Sequence, residues 1–306
     1  MNQFPREIAQ IVKRRLQETG DSSDIVEIQA VSGGYINRVV RIDTHKCRYL
    51  LKWNEEPLPG LFSCEAQGLE KLSSTHTVKV PAVLAVGEHE NRRPGYILLE
   101  WLEGPEGVKA NYEVLGRQVA LLHKNDVPLQ PSCAYGLEND NYQGPARQYN
   151  GWDSDWVNFY VEKRLVPQME TCYRKGYLSV WRRKKLEWIC NNLGRWLTNV
   201  ERRPSLLHGD LWQGNVLVAP DGEPALIDPA VYYGDREAEI AYTQIFNGSF
   251  EPAFYLAYDE FWRLEPGFEE RRDLYNLYHM INHVNIFGEE YGAFLDGVLQ
   301  RYAGSD

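Results

Sequence analysis

The 306-residue chain has no apolar run approaching 18 residues, so no membrane span is expected. It has no C-x-x-C pair. Its five cysteines, Cys47, Cys64, Cys133, Cys172 and Cys190, are odd in number and scattered, which leaves no zinc or redox motif and makes reduced cytosolic thiols the default. A basic surplus is also missing. With 33 Lys and Arg against 43 Asp and Glu, the net charge of −10 argues against nucleic acid and against anionic lipid as partners. The N-terminal Met1-Asn2-Gln3-Phe4-Pro5-Arg6-Glu7 lacks an apolar signal core. There is no internal repeat and no low-complexity segment. What remains, 43% apolar and 25% charged, is an ordinary globular composition. The expectation is a soluble cytoplasmic protein, long enough for two lobes that each bury a core.

Apolar Phe4, Ile8, Ile11, Val12 and Leu16 recur at helical spacing until Gly20 ends the helix. From residue 25 the pattern turns β-like, with strands over 25–28, 37–42 and 47–53 around a Gly33-Gly34 turn. A helix fits 62–73, with Phe62, Ala66, Leu69 and Leu72 on one face, and strands fit 83–86 and 95–101. After a linker at 103–107, helices are expected over 112–124, 154–169, 180–200, 237–246, 252–264 and 268 to about 302, as are short strands near 206–208, 216–219 and 225–227. This is an α+β arrangement: a small antiparallel-sheet N-lobe over 1–102 and a larger, mainly helical C-lobe over 103–306. The stretch 125–153, rich in Pro, Gly and Asn, reads as a loop of a length more often functional than idle.

The chemistry concentrates in His208-Gly209-Asp210-Leu211-Trp212-Gln213-Gly214-Asn215 and in Ile227-Asp228-Pro229. An Asp, an Asn five residues on, and a second Asp closing a short apolar run is the spacing of kinase-type phosphotransferases. Asp210 then accepts the proton of an acceptor hydroxyl, while Asn215 and Asp228 offer oxygen donors to the Mg²⁺ on the phosphates of ATP. Lys52, on the third β-run, is placed to contact the α- and β-phosphates, and Glu65 on the following helix to pair with it. Ser32, Gly33, Gly34 and Asn37 form a turn whose backbone N–H groups suit phosphate, although it is not G-x-G-x-x-G. Glu100 and Leu102 bracket the end of the last N-lobe strand, where backbone groups can hydrogen-bond an adenine. His208 is expected to brace the catalytic loop, and Glu239 to anchor it.

These residues resemble a known family. His208-Gly209-Asp210-Leu211-Trp212-Gln213-Gly214-Asn215 is similar to the H-G-D-L-W-x-G-N signature of the fructosamine kinase (ketosamine-3-kinase) family, within the aminoglycoside-phosphotransferase-like branch of the protein-kinase fold. The segments 228–237, 150–160 and 275–288 also resemble that family, and the match runs over roughly 25–301. The resemblance implies a two-lobed protein-kinase-like fold and ATP- and Mg²⁺-dependent phosphorylation of O3 of a ketosamine, either a small molecule or a glycated protein amine. The 3-phosphate would then break down and free the amine. Two departures stand out. Tyr35 occupies a position where some relatives carry Cys, so no thiol switch is expected there, and Asp228-Pro229-Ala230 replaces D-F-G. For acceptor contacts, Trp212 is a stacking platform or a core residue, and Asp155, His283 and Asn285 line the pocket or serve as a helix cap and core polar groups. An aminoglycoside or other small-alcohol kinase of the same superfamily and a nucleotide-binding pseudokinase scaffold are the competing readings. The intact set Lys52, Asp210, Asn215 and Asp228 counts against the scaffold. The preferred sugar and the oligomeric state are left open.

Overall fold

A computed structural model describes residues 6–31, 37–90, 93–125, 134–198, 203–247 and 250–304. It resolves into two compact units, one made of residues 1–111 with 216–229 and the other of 112–215 with 230–306. A single cut after residue 102 therefore differs from this division, because 103–111 and 216–229 pack with the N-terminal unit.

The first unit opens with α1 (Arg6–Glu18), followed by β1 (Ile25–Ala30), β2 (Arg38–Thr44), β3 (Arg48–Asn54), α2 (Leu61–Ser73), β4 (Val83–Gly87) and β5 (Gly95–Glu100). The strands form one antiparallel sheet in the order β1-β2-β3-β5-β4. Alternation along β3 decides what each face does. Tyr49, Leu51 and Trp53 pack with Ile8, Val12 and Leu16 of α1, whereas Leu50 packs with Phe62, Ala66 and Leu69 of α2. Lys52 falls in register on the α2 side, paired with Val39 and Ile97. That apolar spacing on α2 is why its polar Glu65 meets the sheet at a fixed height. Burying each such Leu or Phe side chain stabilises the unit by about 1.5–3 kcal/mol.

The second unit begins with α3 (Tyr112–Lys124) and a short hairpin, β6 (Asn141–Gln143) and β7 (Ala146–Gln148). Next come α4 (Trp156–Phe159), a π-helical segment (Tyr160–Leu165), α5 (Val166–Arg174), α6 (Val180–Asn192), α7 (Gly194–Leu197) and β8 (Ser205–Leu207). The chain then makes a hairpin, β9 (Val216–Val218) and β10 (Pro224–Leu226), which groups with the first unit. There Ala219, Ala225 and Leu217 pack on Leu102, and Leu226 N–H donates to Lys79 O at 2.8 Å. Returning to the second unit, β11 (Tyr232–Gly234) pairs antiparallel with β8 and leads into α8 (Arg236–Tyr242), α9 (Pro252–Trp262), α10 (Phe268–Phe287) and α11 (Gly292–Ala303).

Several elements depart from expectation, among them the unexpected strand β11 and the helix expected over 237–246, which ends at Tyr242. The single helix expected over 268–302 is broken at Gly288, whose φ of +88° and ψ of −158° suit glycine and end α10. The helix expected over 154–169 changes to π-helical winding at Tyr160 and continues to Arg174. The stretch 125–153 holds the β6–β7 hairpin among its described residues. Ser32, Gly33, Gly34 and Tyr35 lie outside the described residues.

Candidate active site

Three residues expected to serve the nucleotide phosphates, Lys52, Glu65 and Asp228, come together within the first unit. Lys52 Nζ donates to Glu65 Oε1 at 2.8 Å and also to Asp228 Oδ1. Asp228 reaches this position from the end of the β9–β10 hairpin through a backbone φ of +56°, an uncommon conformation for a non-glycine residue. Burial by itself would favour a neutral Lys52. The carboxylates of Glu65 and Asp228 outweigh it, so the ammonium is held well above its ordinary pKa. Burial, together with the like charge of Asp228, pushes the Glu65 carboxyl up. Asp228 keeps nearly half of its side chain exposed, so the carboxylate can serve a second partner. Asn37 sits at the edge of this sheet, where Asn54 Nδ2 donates to its Oδ1 at 3.2 Å. Glu100 accepts at Oε2 from Ala82 N–H at 3.2 Å, and its own N–H donates to Ala82 O, while Leu102 lies on the apolar floor made by the β9–β10 hairpin.

The Asp210 loop is built within the second unit. Leu206 and Leu207 anchor it through β8, and Glu239, near the start of α8, holds its turn. Buried Glu239 accepts from the N–H groups of His208 at 3.0 Å and Gly209 at 2.7 Å, and from His123 Nε2 at 2.9 Å. Burial would raise its pKa, but the bond from His123, the nearby His208 and the Gly209 N–H lower it below the usual carboxylate value. His208 braces the loop from inside, since Asp210 N–H donates to its Nδ1 at 3.3 Å and Ala230 N–H to its carbonyl at 2.9 Å.

Gly209 adopts φ +83°, and a Cβ placed there would stand 2.0 Å from Ala230 O. Gly209→Ala is therefore expected to destabilise the protein by about 2 kcal/mol or more and to depress turnover along with stability. Thermal melts beside steady-state rates check this; a variant with unchanged melting and turnover would refute the packing argument.

Asp210 itself is partly exposed and held from several sides. Asn215 Nδ2 donates to its carbonyl at 2.8 Å and to Oδ2 at 3.2 Å, and Gln143 Nε2 donates to Oδ1 at 3.1 Å, while the buried Tyr242 phenol, whose pKa burial and then the Asp210 charge push up, stands nearby. Because Asn215 turns Nδ2 towards Asp210, Oδ1 is its atom left for a cation.

Comparison with known proteins decides the family. The fructosamine kinase family model matches residues 7–304. A probable ketoamine kinase of Synechocystis sp. is 35% identical over 95% of this chain and 95% of its own length. The chloroplastic protein-ribulosamine 3-kinase of Arabidopsis thaliana is 36% identical over 92% and 84%. The chain belongs to the fructosamine kinase family. Among solved structures, a candidate fructosamine-3-kinase from Haemophilus somnus 129PT aligns with a TM-score of 0.84 at 27% identity, covering 95% of this chain and 96% of the other. An aminoglycoside phosphotransferase, APH(4)-Ia, aligns with a TM-score of 0.63 at 16% identity over 97% and 99%, which shows a shared two-lobed kinase-like fold.

In this member of the fructosamine kinase family the four residues expected at the acceptor differ in role. Trp212 is about half exposed, with its indole ring lying across Gly214. Asp155 is the N-cap of α4, accepting from Asn158 N–H at 2.7 Å. Asn285 is a buried core amide that donates to Gln168 O at 3.0 Å and Oε1 at 2.7 Å. His283 bonds through Nδ1 to His279 O at 2.7 Å and sits among the rings of Phe246, Phe287 and Tyr291; burial pushes its pKa down. Of these four, Trp212 alone lies in the Asp210 loop. Sequence reasoning missed Gln143, which donates to Asp210 directly, Tyr242 near that carboxylate, and His279 behind Gln143. The one available signal was the length of the 125–153 stretch.

Proposed function

We propose that this chain transfers the γ-phosphoryl group of ATP to a sugar hydroxyl, specifically O3 of a ketosamine such as a fructosyl- or ribulosyl-amine. The observation that carries this reading is the Asp210 carboxylate, held by amide donors in an H-G-D-L-W-x-G-N loop of a chain whose relatives are named ketoamine and ribulosamine kinases. The O3–H proton passes to Asp210 as the new O–P bond forms and the γ-phosphorus bond to ADP breaks. Lys52, kept charged by Glu65, contacts the α- and β-phosphates, and the Leu102 floor with the adjoining backbone at Glu100 receives the adenine. Asn215 Oδ1 and the half-exposed Asp228 carboxylate are each the kind of hard oxygen donor that Mg²⁺ would take, and Mg²⁺ would supply neutralisation of phosphate charge. Ser32, Gly33, Gly34 and Asn37 belong to the same reading as the phosphate turn. Phosphorylation at O3 makes the ketosamine labile and frees the amine.

A cytoplasmic location is part of this proposal, supported by the free thiols of Cys47, Cys64, Cys172 and Cys190. Among the described residues no helix is long and apolar enough to cross a membrane.

The test is label transfer from γ-labelled ATP across fructosyl-, ribulosyl- and erythrulosyl-amines, free and protein-bound, with an aminoglycoside control. Transfer to ketosamines and none to the aminoglycoside is expected. Transfer to the aminoglycoside alone would replace this reading with the antibiotic-kinase one, and ATP binding with no transfer at all would favour a scaffold.

A further inference from the structure

We propose that Gln143 is the positioning residue for the catalytic base: presented by the β6–β7 hairpin, its amide fixes the rotation of the Asp210 carboxylate. This inference rests on the reading of Asp210 as the base. Gln143 Nε2 donates one hydrogen to Asp210 Oδ1 at 3.1 Å and the other to His279 Nδ1 at 2.9 Å. Both hydrogens are committed, so the amide cannot turn without losing two bonds. His279 can accept at Nδ1 because it is neutral: burial, then His283 and Arg164 nearby, push its pKa well below the ordinary value. Its ring is fixed by stacking on Tyr242 at a centroid distance of 3.6 Å, and the Tyr242 phenol lies near the Asp210 carboxylate. With Asn215 on Oδ2, each carboxylate oxygen thus has its own amide donor.

The cost of this arrangement is visible. Gln143 is only 3% exposed, and among the described residues its Oε1 has no hydrogen-bond partner. An atom left unpaired in this way costs about 1–3 kcal/mol, so the bonds to Asp210 and His279 are what hold the amide in this orientation.

The hairpin that presents Gln143 is itself pinned to the loop's base. Asn141 Nδ2 donates to Val231 O at 2.8 Å, and Gln148 Nε2 donates to Ala230 O at 2.9 Å and to Asn141 Oδ1 at 2.8 Å. Asn150 Nδ2 donates to Asn141 Oδ1 at 3.0 Å, and buried Arg164 donates to Asn150 Oδ1 at 2.9 Å. Ala230 is the residue that closes on His208 and Gly209. The two sides of the carboxylate are therefore referenced to the same stretch of backbone.

The experiment compares wild type, Asp210→Asn, Gln143→Met and the double variant on ribulosyllysine. Gln143→Met keeps the length and removes both donors. Its kcat is expected to fall about 10²-fold, as for a misoriented reacting group, with KM for ATP unchanged. In the Asp210→Asn background the same change should cost nothing further, since there is no carboxylate left to orient. A melting curve confirms folding. If Gln143→Met fails to fold, Gln143→Glu, which keeps the shape but can donate at most one hydrogen, takes its place with the same expected loss. Wild-type kcat in either folded variant, or an equal loss in the Asp210→Asn background, overturns the positioning role. Should ribulosyllysine not be phosphorylated, the comparison is run on whichever fructosyl-, ribulosyl- or erythrulosyl-amine is, and a wild type that phosphorylates none of them refutes the phosphotransfer reading itself, and the positioning role with it.

Discussion

Replacing Asp210 with Asn is expected to reduce ketosamine phosphorylation by roughly 10²–10⁴-fold while leaving ATP affinity and folding intact. The carboxamide has nearly the same shape, so the loop keeps its other fixtures. Glu239 still receives the His208 and Gly209 N–H groups, and Ala230 N–H still donates to the His208 carbonyl. What disappears is the basic oxygen proposed to take the acceptor proton. ATP affinity should persist because Lys52, Glu65 and Asp228 form their contacts in the other compact unit. Coupled ADP release measures the loss, and calorimetric titration with ATP measures the retained affinity. A variant that turns over near the wild-type rate would remove Asp210 from the mechanism. One that loses ATP binding in parallel would make the effect structural rather than chemical.

How much of this was legible in the sequence depends on where each residue's partners lie. The sheet around Lys52 was readable because strand alternation and the 62–73 helical face are local patterns, and both put Lys52 and Glu65 on facing surfaces. The Asp210 loop was readable because its spacing is short and fixed. The β6–β7 hairpin was not. Its strands are three residues each, carry Asn, Tyr and Gln in place of alternating apolar side chains, and owe their place to bonds with Ala230 and Val231, more than 80 residues away. No periodicity reports such a partner, so Gln143 passed as loop. Tyr242 and His279 were hidden for the related reason that polar groups inside helical patterns read as ordinary faces. Asp155 shows the opposite outcome, since its cap on α4 is the local role its position before the helix offers. Gly288 could have been read as a helix stop, but the apolar pattern resumes beyond it and masked the break.

Lys52→Met should act on the nucleotide, with kcat/KM for ATP falling about 10²-fold or more as a charged phosphate contact is lost. The ammonium is the only cation the structure gives Glu65 or Asp228 among the described residues, and the Glu65 side chain, on α2, is largely buried. Removing one partner of a buried pair commonly costs about 3–5 kcal/mol. Here the cost should fall short of that, because Asp228 is half exposed and Glu65, already pushed up, can take a proton and become neutral. Stability should therefore drop measurably without unfolding the N-terminal unit, whose apolar faces on α1 and α2 are untouched. Lys52→Arg should not rescue ATP use, since a planar fork cannot replace a compact ammonium donating to two carboxylates from one atom. Titration with ATP, thermal melts and KM for ketosamine at saturating ATP separate these effects. Unchanged ATP affinity in a folded Lys52→Met protein would mean that the triad in the first unit holds the sheet to α2 and serves no phosphate.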